Sequence, residues 1–477
     1  MDIISIRFVI ITLIISVIYY LLSNDKKNLF LALISGLFIA GFNIYYLIYV
    51  LLYSIVNYYI GLKLPSVKNK KLLFRTGILI NLLQLILFKY SSFAVDPIFE
   101  LINLNIHVSK ISEIFVPLGI SYFTLQGIGY LINVKMGWEK PESNFIDFFV
   151  YISFFPKFLS GPVERSKHFL PQLKKNVSFS EENVSKGMKL VLFGFFKKVA
   201  IANQLAPYVK HSFVDLDASG GSPLLVTFFI LPFYLYFDFS GYTDIALGYA
   251  KMFGIDLLPN FNRPLLSENV TVFWRRFHMS LSLWFSDYIF KQTMFRRRKW
   301  GEFAPVYALL LTWTLFGIWH GAGWRFMVLG MIQAVAIIYE YYTKRWRKRL
   351  FSTLPENVSR WAGRSFTFIF YAFSLVFFFS PDLPSVMVFF SNLFDVSGSF
   401  FKGNQQAVFL MASLFITIFL IIEILQNDHN IIYKKIDKIW SAPERKNKLI
   451  RLTVYFFMMA IVIVLNNEVQ DFIYFKF

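Results

Sequence analysis

Residues 303–324 read FAPVYALLLTWTLFGIWHGAGW. The uncharged run from Phe303 to Trp319 is followed at once by His320, Gly321, Ala322, Gly323 and Trp324. A bilayer core needs roughly 20 predominantly apolar residues in helical form, and this run approaches that length. An ionisable ring at the end of such a helix is unfavourable unless it is satisfied or used. The two glycines break the helix and let a ligand approach the backbone. An imidazole there suits a general base near neutral pH, and equally a helix-end histidine held by hydrogen bonds.

Similar runs recur on both sides of this one. They fall near Ile3–Leu22, Leu29–Val50, Tyr45–Ile60, Leu72–Tyr90, Ile114–Val134, Phe148–Leu159, Leu190–Leu205 and Leu224–Phe239. Others follow near Phe326–Tyr342, Phe366–Phe379, Ala407–Leu425 and Leu449–Leu465. Some, such as Phe148–Leu159, are too short to cross alone and read as re-entrant or buried. The pattern predicts an all-α integral membrane protein with about 11 transmembrane helices plus re-entrant or interfacial ones. Met1–Leu22 reads as a first transmembrane helix rather than a signal peptide, because no small-residue cleavage site precedes Asn24. No long linker, repeat or low-complexity tract interrupts the 477 residues, so one membrane domain is expected over 1–477, with its motif-rich core at about 114–343.

Composition points the same way. Only 16% of the residues are charged and 56% are hydrophobic, against about 25% charged in an ordinary soluble domain. The formal net charge of +19 reads as basic cytoplasmic loops and not as a nucleic-acid surface, because the cations fall between the apolar runs. Lys63–Arg75, Lys344–Arg349 and Lys434–Arg451 are the strongest cytoplasmic loops, joined by Arg165–Lys175 and Arg296–Lys299. The absence of cysteine removes disulfides, thiolate catalysis and thiolate metal sites. Neither an HExxH pattern, nor other metal-ligand spacing, nor a GxxxxGK[ST] loop occurs, which argues against a metal centre or an ATPase.

Two further stretches carry polar groups in apolar surroundings. Phe273–Trp284 reads as an amphipathic helix, with Trp274, His278 and Ser282 four apart on one stripe. Arg275 and Arg276 suit phosphate or lipid headgroups there, and an interfacial helix with snorkelling arginines gives the same pattern. Tyr236–Asp244 places Asp238 at the end of an apolar run, where it orients a histidine or accepts from backbone amides or an arginine. His107, His211 and His429 lie in polar connections, and His168 lies in a basic loop.

These stretches, in their order, resemble the membrane-bound O-acyltransferase family, and within it the bacterial alginate and peptidoglycan O-acetyltransferase branch. The resemblance covers most of the chain. It rests on Pro117–Thr124, Phe154–Pro162, Asp238–Asp244, Asn260–Pro264, Phe273–Trp284 and Trp319-His320-Gly321. Phe277 departs from the pattern, since such proteins usually carry a tryptophan there. The final residues, Phe472 to Phe477, also resemble the aromatic endings of acetyltransferase members.

The resemblance implies helices around a central funnel or channel. It implies that His320 is catalytic as the base and that His278 contributes, with Trp274, Arg275, Arg276, Trp319 and Asp238 in supporting or substrate-binding roles. It implies acetyl-CoA as donor substrate with no bound cofactor, and an extracytoplasmic polysaccharide as acceptor. An SGNH-type O-acetyltransferase partner outside the membrane is also implied, with residence in the bacterial inner membrane among its lipids. Tyr474 reads as an acyl carrier or as an interfacial aromatic anchor. D-alanyl transfer to teichoic acid from a carrier protein is the nearest alternative, and a non-enzymatic glycan or lipid transporter the alternative of another class.

Overall fold

A computed structural model describes residues 3–104, 107–110, 115–214, 216, 220–395, 397–401, 406–427, 438, 440, 442 and 444–466. Every regular element among the described residues is helical, apart from one isolated antiparallel bridge between Phe261 and Phe277. The chain divides into two compact units, Met1–Val191 with Thr243–Pro259, and Leu192–Tyr242 with Asn260–Phe477.

The first unit opens with α1 (Ile6–Leu21), α2 (Asn24–Ala40), α3 (Ile44–Lys63), α4 (Lys70–Phe88) and α5 (Asp96–Leu101). It continues with α6 (Ile120–Met136), α7 (Phe145–Ser153), α8 (Ser166–Leu173) and most of α9 (Glu181–Phe195). Side-chain caps set several of the starts. Ser5 accepts from Phe8 N, Asn43 from Tyr45 N, Asn69 from Leu72 N and Asn144 from Ile146 N. Each capping oxygen satisfies an amide that the helix leaves without a partner. Asn43 also explains why the overlapping apolar runs around residue 45 separate into two helices.

Polar side chains bind α3, α4 and α6 together inside this unit. Tyr53 donates to Asn81 Oδ1 at 2.6 Å, and Asn81 donates to Asn57 Oδ1 at 2.8 Å. Tyr49 donates to Gln84 Oε1 at 2.6 Å, and Gln84 donates to Thr124 Oγ1 at 2.8 Å. Such bonds hold helices where burial of apolar surface gives little driving force. Phe148–Leu159 is buried throughout, with Lys157 Nζ donating to Gln126 Oε1 and to the Tyr151 carbonyl at 2.6 Å each.

The second unit holds α10 (Asn203–Val214), α11 (Gly221–Met252, shared with the first unit), α12 (Val270–Trp274), α13 (Met279–Phe285) and α14 (Lys291–Arg296). Then come α15 (Phe303–His320), α16 (Trp324–Phe351), α17 (Glu356–Phe379), α18 (Leu383–Asn392), α19 (Gln406–Asn427) and α20 (Arg445–Leu465). α15 and α16 form an antiparallel hairpin around close-packed glycines. A Cβ on Gly317 would lie 2.1 Å from the Phe326 carbonyl oxygen, and one on Gly330 would lie 2.1 Å from that of Trp313. Small residues at these two places let the backbones approach, as in packed membrane helices generally.

Among the described residues, α3, α4, α11, α15, α16, α17, α19 and α20 are the eight helices long and apolar enough to cross a membrane. The expectation was about 11. The other runs are cut short: α1 has 16 residues and α6 has 17, while the run at 190–205 is divided by a π-helical turn, Phe196–Ala202.

The glycine contact makes a testable demand. Gly330→Val forces the hairpin apart, so the expected outcome is a lower melting temperature and a lower yield of folded protein in detergent, read by size-exclusion chromatography and thermal denaturation.

Candidate active site

α15 ends at His320 because Gly321 leaves the helix in an extended conformation. His320 is buried, and its ring sits 5.0 Å from Phe316, 5.1 Å from Trp319 and 5.7 Å from Phe378, centroid to centroid. Gly321 is required by packing as well, since a Cβ there would lie 2.1 Å from the Phe326 ring.

His278 is reached differently from the sequence expectation. Phe273–Trp284 is not one helix. α12 stops at Trp274, and α13 begins at Met279. Between them His278 adopts φ +45°, a left-handed conformation that few non-glycine residues take. Holding such a residue costs of order 1–3 kcal/mol, so its surroundings must fix it. They do so through the segment around Asn260. Met279 N donates to the Asn260 carbonyl at 3.0 Å, and Asn262 N donates to the Arg276 carbonyl at 2.9 Å. Ser280 N and Oγ both donate to Asn260 Oδ1, at 3.2 and 2.6 Å. The Phe261–Phe277 bridge lies between these bonds. His278 is fully buried under Phe239, ring centroids 4.6 Å apart. Burial, with His320 nearby adding to it, pushes its imidazole well below the ordinary histidine range, so the ring is neutral near pH 7.

The two histidines line one cavity. Trp319 packs against both, its ring 6.1 Å from His278 and 5.1 Å from His320. The cavity is small, about 30 Å³, room for roughly two water molecules. Its walls are almost entirely apolar, and among the described residues no carboxylate lines it. Trp274 also lines it, because the turn between α12 and α13 brings the indole against Trp313 and Phe316 at 4.7 and 5.1 Å.

α16 fixes α12 at two points. Trp274 Nε1 donates to Gln333 Oε1 at 3.0 Å. Seven residues further, Glu340 accepts from Val270 N at 2.6 Å, from Thr271 N at 2.9 Å and from Thr271 Oγ1 at 2.6 Å. A seven-residue spacing puts Gln333 and Glu340 on one face of the helix, about 10 Å apart along its axis. Glu340 thereby takes the first amides of α12, while Asn269 Oδ1 takes the next, from Val272 N at 2.9 Å. α16 is thus the frame for both imidazoles, His320 through the hairpin and His278 through α12.

The other expected site residues lie elsewhere. Arg275 is exposed, and Arg276 is half-buried and donates to Asn427 Oδ1 at 3.2 Å. Neither lines the cavity. Asp238 is buried in an ion pair with Lys198, also buried, and it too is absent from the cavity wall. Tyr474 and His429 lie outside the described residues. His168, read from the sequence as lying in a basic loop, is partly exposed and contacts Glu164 at 2.9 Å through Nδ1, which pushes its imidazole up. Gln333, Glu340 and Tyr371 were not singled out by sequence. Each is a polar residue inside an apolar run, and that was the available signal.

Two buried imidazoles of a helical membrane protein thus face one apolar space. Residues 141–381 match the family model for MBOAT, the membrane-bound O-acyltransferase family, and every residue lining the cavity falls within that stretch. The chain is 33% identical over 318 residues to the probable alginate O-acetylase AlgI of Azotobacter vinelandii, spanning 66% of this chain and 63% of that protein. Less than two thirds of that relative's length is therefore matched. It is 31% identical over 415 residues to the peptidoglycan O-acetyltransferase of Helicobacter pylori, spanning 80% of this chain and 77% of that protein. It is also 31% identical over 251 residues to the teichoic acid D-alanyltransferase of Bacillus subtilis, spanning 51% and 63% respectively. The chain belongs to the membrane-bound O-acyltransferase family and is a multi-pass membrane protein.

Glu340→Ala leaves two buried amides of α12 without their acceptor. At about 1–3 kcal/mol for each unsatisfied group, purified Glu340→Ala is expected to lose about 2–6 kcal/mol of stability, read as a lowered melting temperature. Glu340→Gln keeps one acceptor oxygen and is expected to fall between the two.

Proposed function

We propose that the protein is an O-acetyltransferase that takes acetyl groups from cytoplasmic acetyl-CoA and passes them across the bacterial inner membrane for O-acetylation of an extracytoplasmic polysaccharide. The observation that carries this reading is the meeting of His320 and His278 in one apolar cavity within the family-matched stretch. A thioester is already activated. The protein has to align donor and acceptor, take a hydroxyl proton and stabilise the developing oxyanion. His320 is the base in this reading, and neutral His278 is a hydrogen-bonding partner of the reacting groups. The cavity's small volume favours a short acyl group. The names of the Azotobacter and Helicobacter relatives, which refer to alginate and peptidoglycan O-acetylation, support an acetyl group and a glycan acceptor.

In the same reading an SGNH-type transferase outside the membrane completes delivery, and Tyr474 carries the acetyl group between the two. The likeness to the Bacillus D-alanyltransferase supports a second reading, transfer of a D-alanyl group from a carrier protein.

Membrane vesicles given radiolabelled acetyl-CoA test the first reading. His320→Ala is expected to lower transfer by roughly 10²–10⁴-fold, the usual weight of a general base, with the protein still present at wild-type level. Retention of most of the rate refutes His320 as the base. Label entering from a D-alanyl carrier protein, and none from acetyl-CoA, selects the second reading. Labelled acetyl on Tyr474 in the recovered peptide is expected, and full transfer by Tyr474→Phe removes the carrier step.

A further inference from the structure

Tyr371 lies on α17 and lines the cavity that holds both histidines. Its ring is fixed by Phe273 and Phe277, with centroids 4.3 and 5.4 Å away. The residue is 4% exposed, and its hydroxyl, among the described residues, makes no hydrogen bond. Buried phenol hydroxyls are usually partnered, because an unmet one loses its hydration for nothing. The neighbouring polar groups on the wall are committed. Ser374 donates to the Phe370 and Tyr371 carbonyls, and the Trp274 indole donates to Gln333. An uncommitted O–H donor, rigidly packed in a space without carboxylates, is suited to receive a negative charge that exists only during reaction.

We propose that the Tyr371 hydroxyl donates a hydrogen bond to the thioester carbonyl oxygen and holds the oxyanion during acyl transfer. The inference rests on the acyl-transfer reading above. In the step, the acceptor hydroxyl oxygen bonds to the carbonyl carbon, its proton passes to His320, and the C=O electron pair moves onto oxygen facing Tyr371. Collapse re-forms C=O and breaks the C–S bond. The sulfur leaves with the proton from His320 as a free thiol, and the acceptor leaves as its ester. Tyr371 keeps its own proton throughout.

Tyr371→Phe removes one oxygen and nothing else. Because that oxygen has no partner among the described residues, the melting temperature is expected to stay level or rise. The rate constant kcat is expected to fall by roughly 10²–10³-fold, as for loss of one oxyanion donor, with the donor KM within about threefold of wild type. The ratio is measured in nanodiscs on acetyl-CoA. If wild type is inactive with acetyl-CoA but active with a D-alanyl carrier thioester, the acetyl reading fails and the same ratio is taken on that donor, since both present a thioester carbonyl. A kcat within about threefold of wild type overturns the proposal. So does a fall in kcat matched by a fall in melting temperature, which assigns the hydroxyl to packing.

Discussion

Amides at the start of a short helix need acceptors, and where the helix is packed inside protein water does not supply them. Glu340 answers that need for α12. The position of Trp274 descends from it, and the turn that follows, with the left-handed His278, is held in its place by the segment around Asn260. A carboxylate so placed is itself costly to bury, and among the described residues no cation pairs with it. Three donors converging on its two oxygens, two of them at the positive end of a helix, compensate. The same span carries Gln333 for Trp274 and packs on α15 through Gly317 and Gly330. Moving α16 therefore moves both imidazoles together, and their separation is set inside one rigid hairpin with its docked helix.

This arrangement explains which parts of the site were readable from sequence. His320 and its glycines stood out because an ionisable residue and two helix breakers interrupt a long apolar run, a purely local signal. Trp274 was found for a reason the structure replaces: it was placed beside His278 by a four-residue spacing along one helix, whereas the chain turns between them. That turn depends on Asn260 and Asn262, some 18 residues earlier in sequence, and the local pattern does not contain it. Asp238 looked like a partner for a histidine, but its charge is taken by Lys198, forty residues away. Gln333, Glu340 and Tyr371 each resemble an ordinary polar residue in a span until the donor or cavity facing them is known. The helical membrane fold was legible because bilayer thickness imposes itself on composition directly, while the number of spans was not, because a short apolar segment has the same appearance whether it spans or is buried in protein.

The cavity's chemistry follows from what its walls lack. Without a carboxylate, a protonated imidazole has no nearby anion to offset its burial, and His278 is accordingly held neutral. Charge made during acyl transfer is then unfavourable unless it is met by preorganised dipoles. The thioester donor of the proposed reading would lower that demand, since its carbonyl is activated before it arrives, and few protein groups would suffice. Two imidazoles, an indole, an amide, a phenol and the Ser374 hydroxyl are the polar vocabulary of this wall.

Helix length adds a further constraint. From Phe303 to His320 the axis rises about 25 Å, close to the thickness of the hydrocarbon core. Arg296–Lys299 precedes α15 and Lys344–Arg349 closes α16, so the cations gather at one end of the hairpin while His320 and its glycines form the other. The positive-inside rule assigns the basic end to the cytoplasm. In the proposed reading, an acyl group delivered from that side travels nearly the full span before it meets His320. A donor that carries its acyl group on a long flexible arm satisfies this, while an acceptor entering from the opposite face needs only to reach the turn. In the proposed reading the hairpin thus separates the charged side, where the donor would be recognised, from the uncharged end where its thioester would be opened.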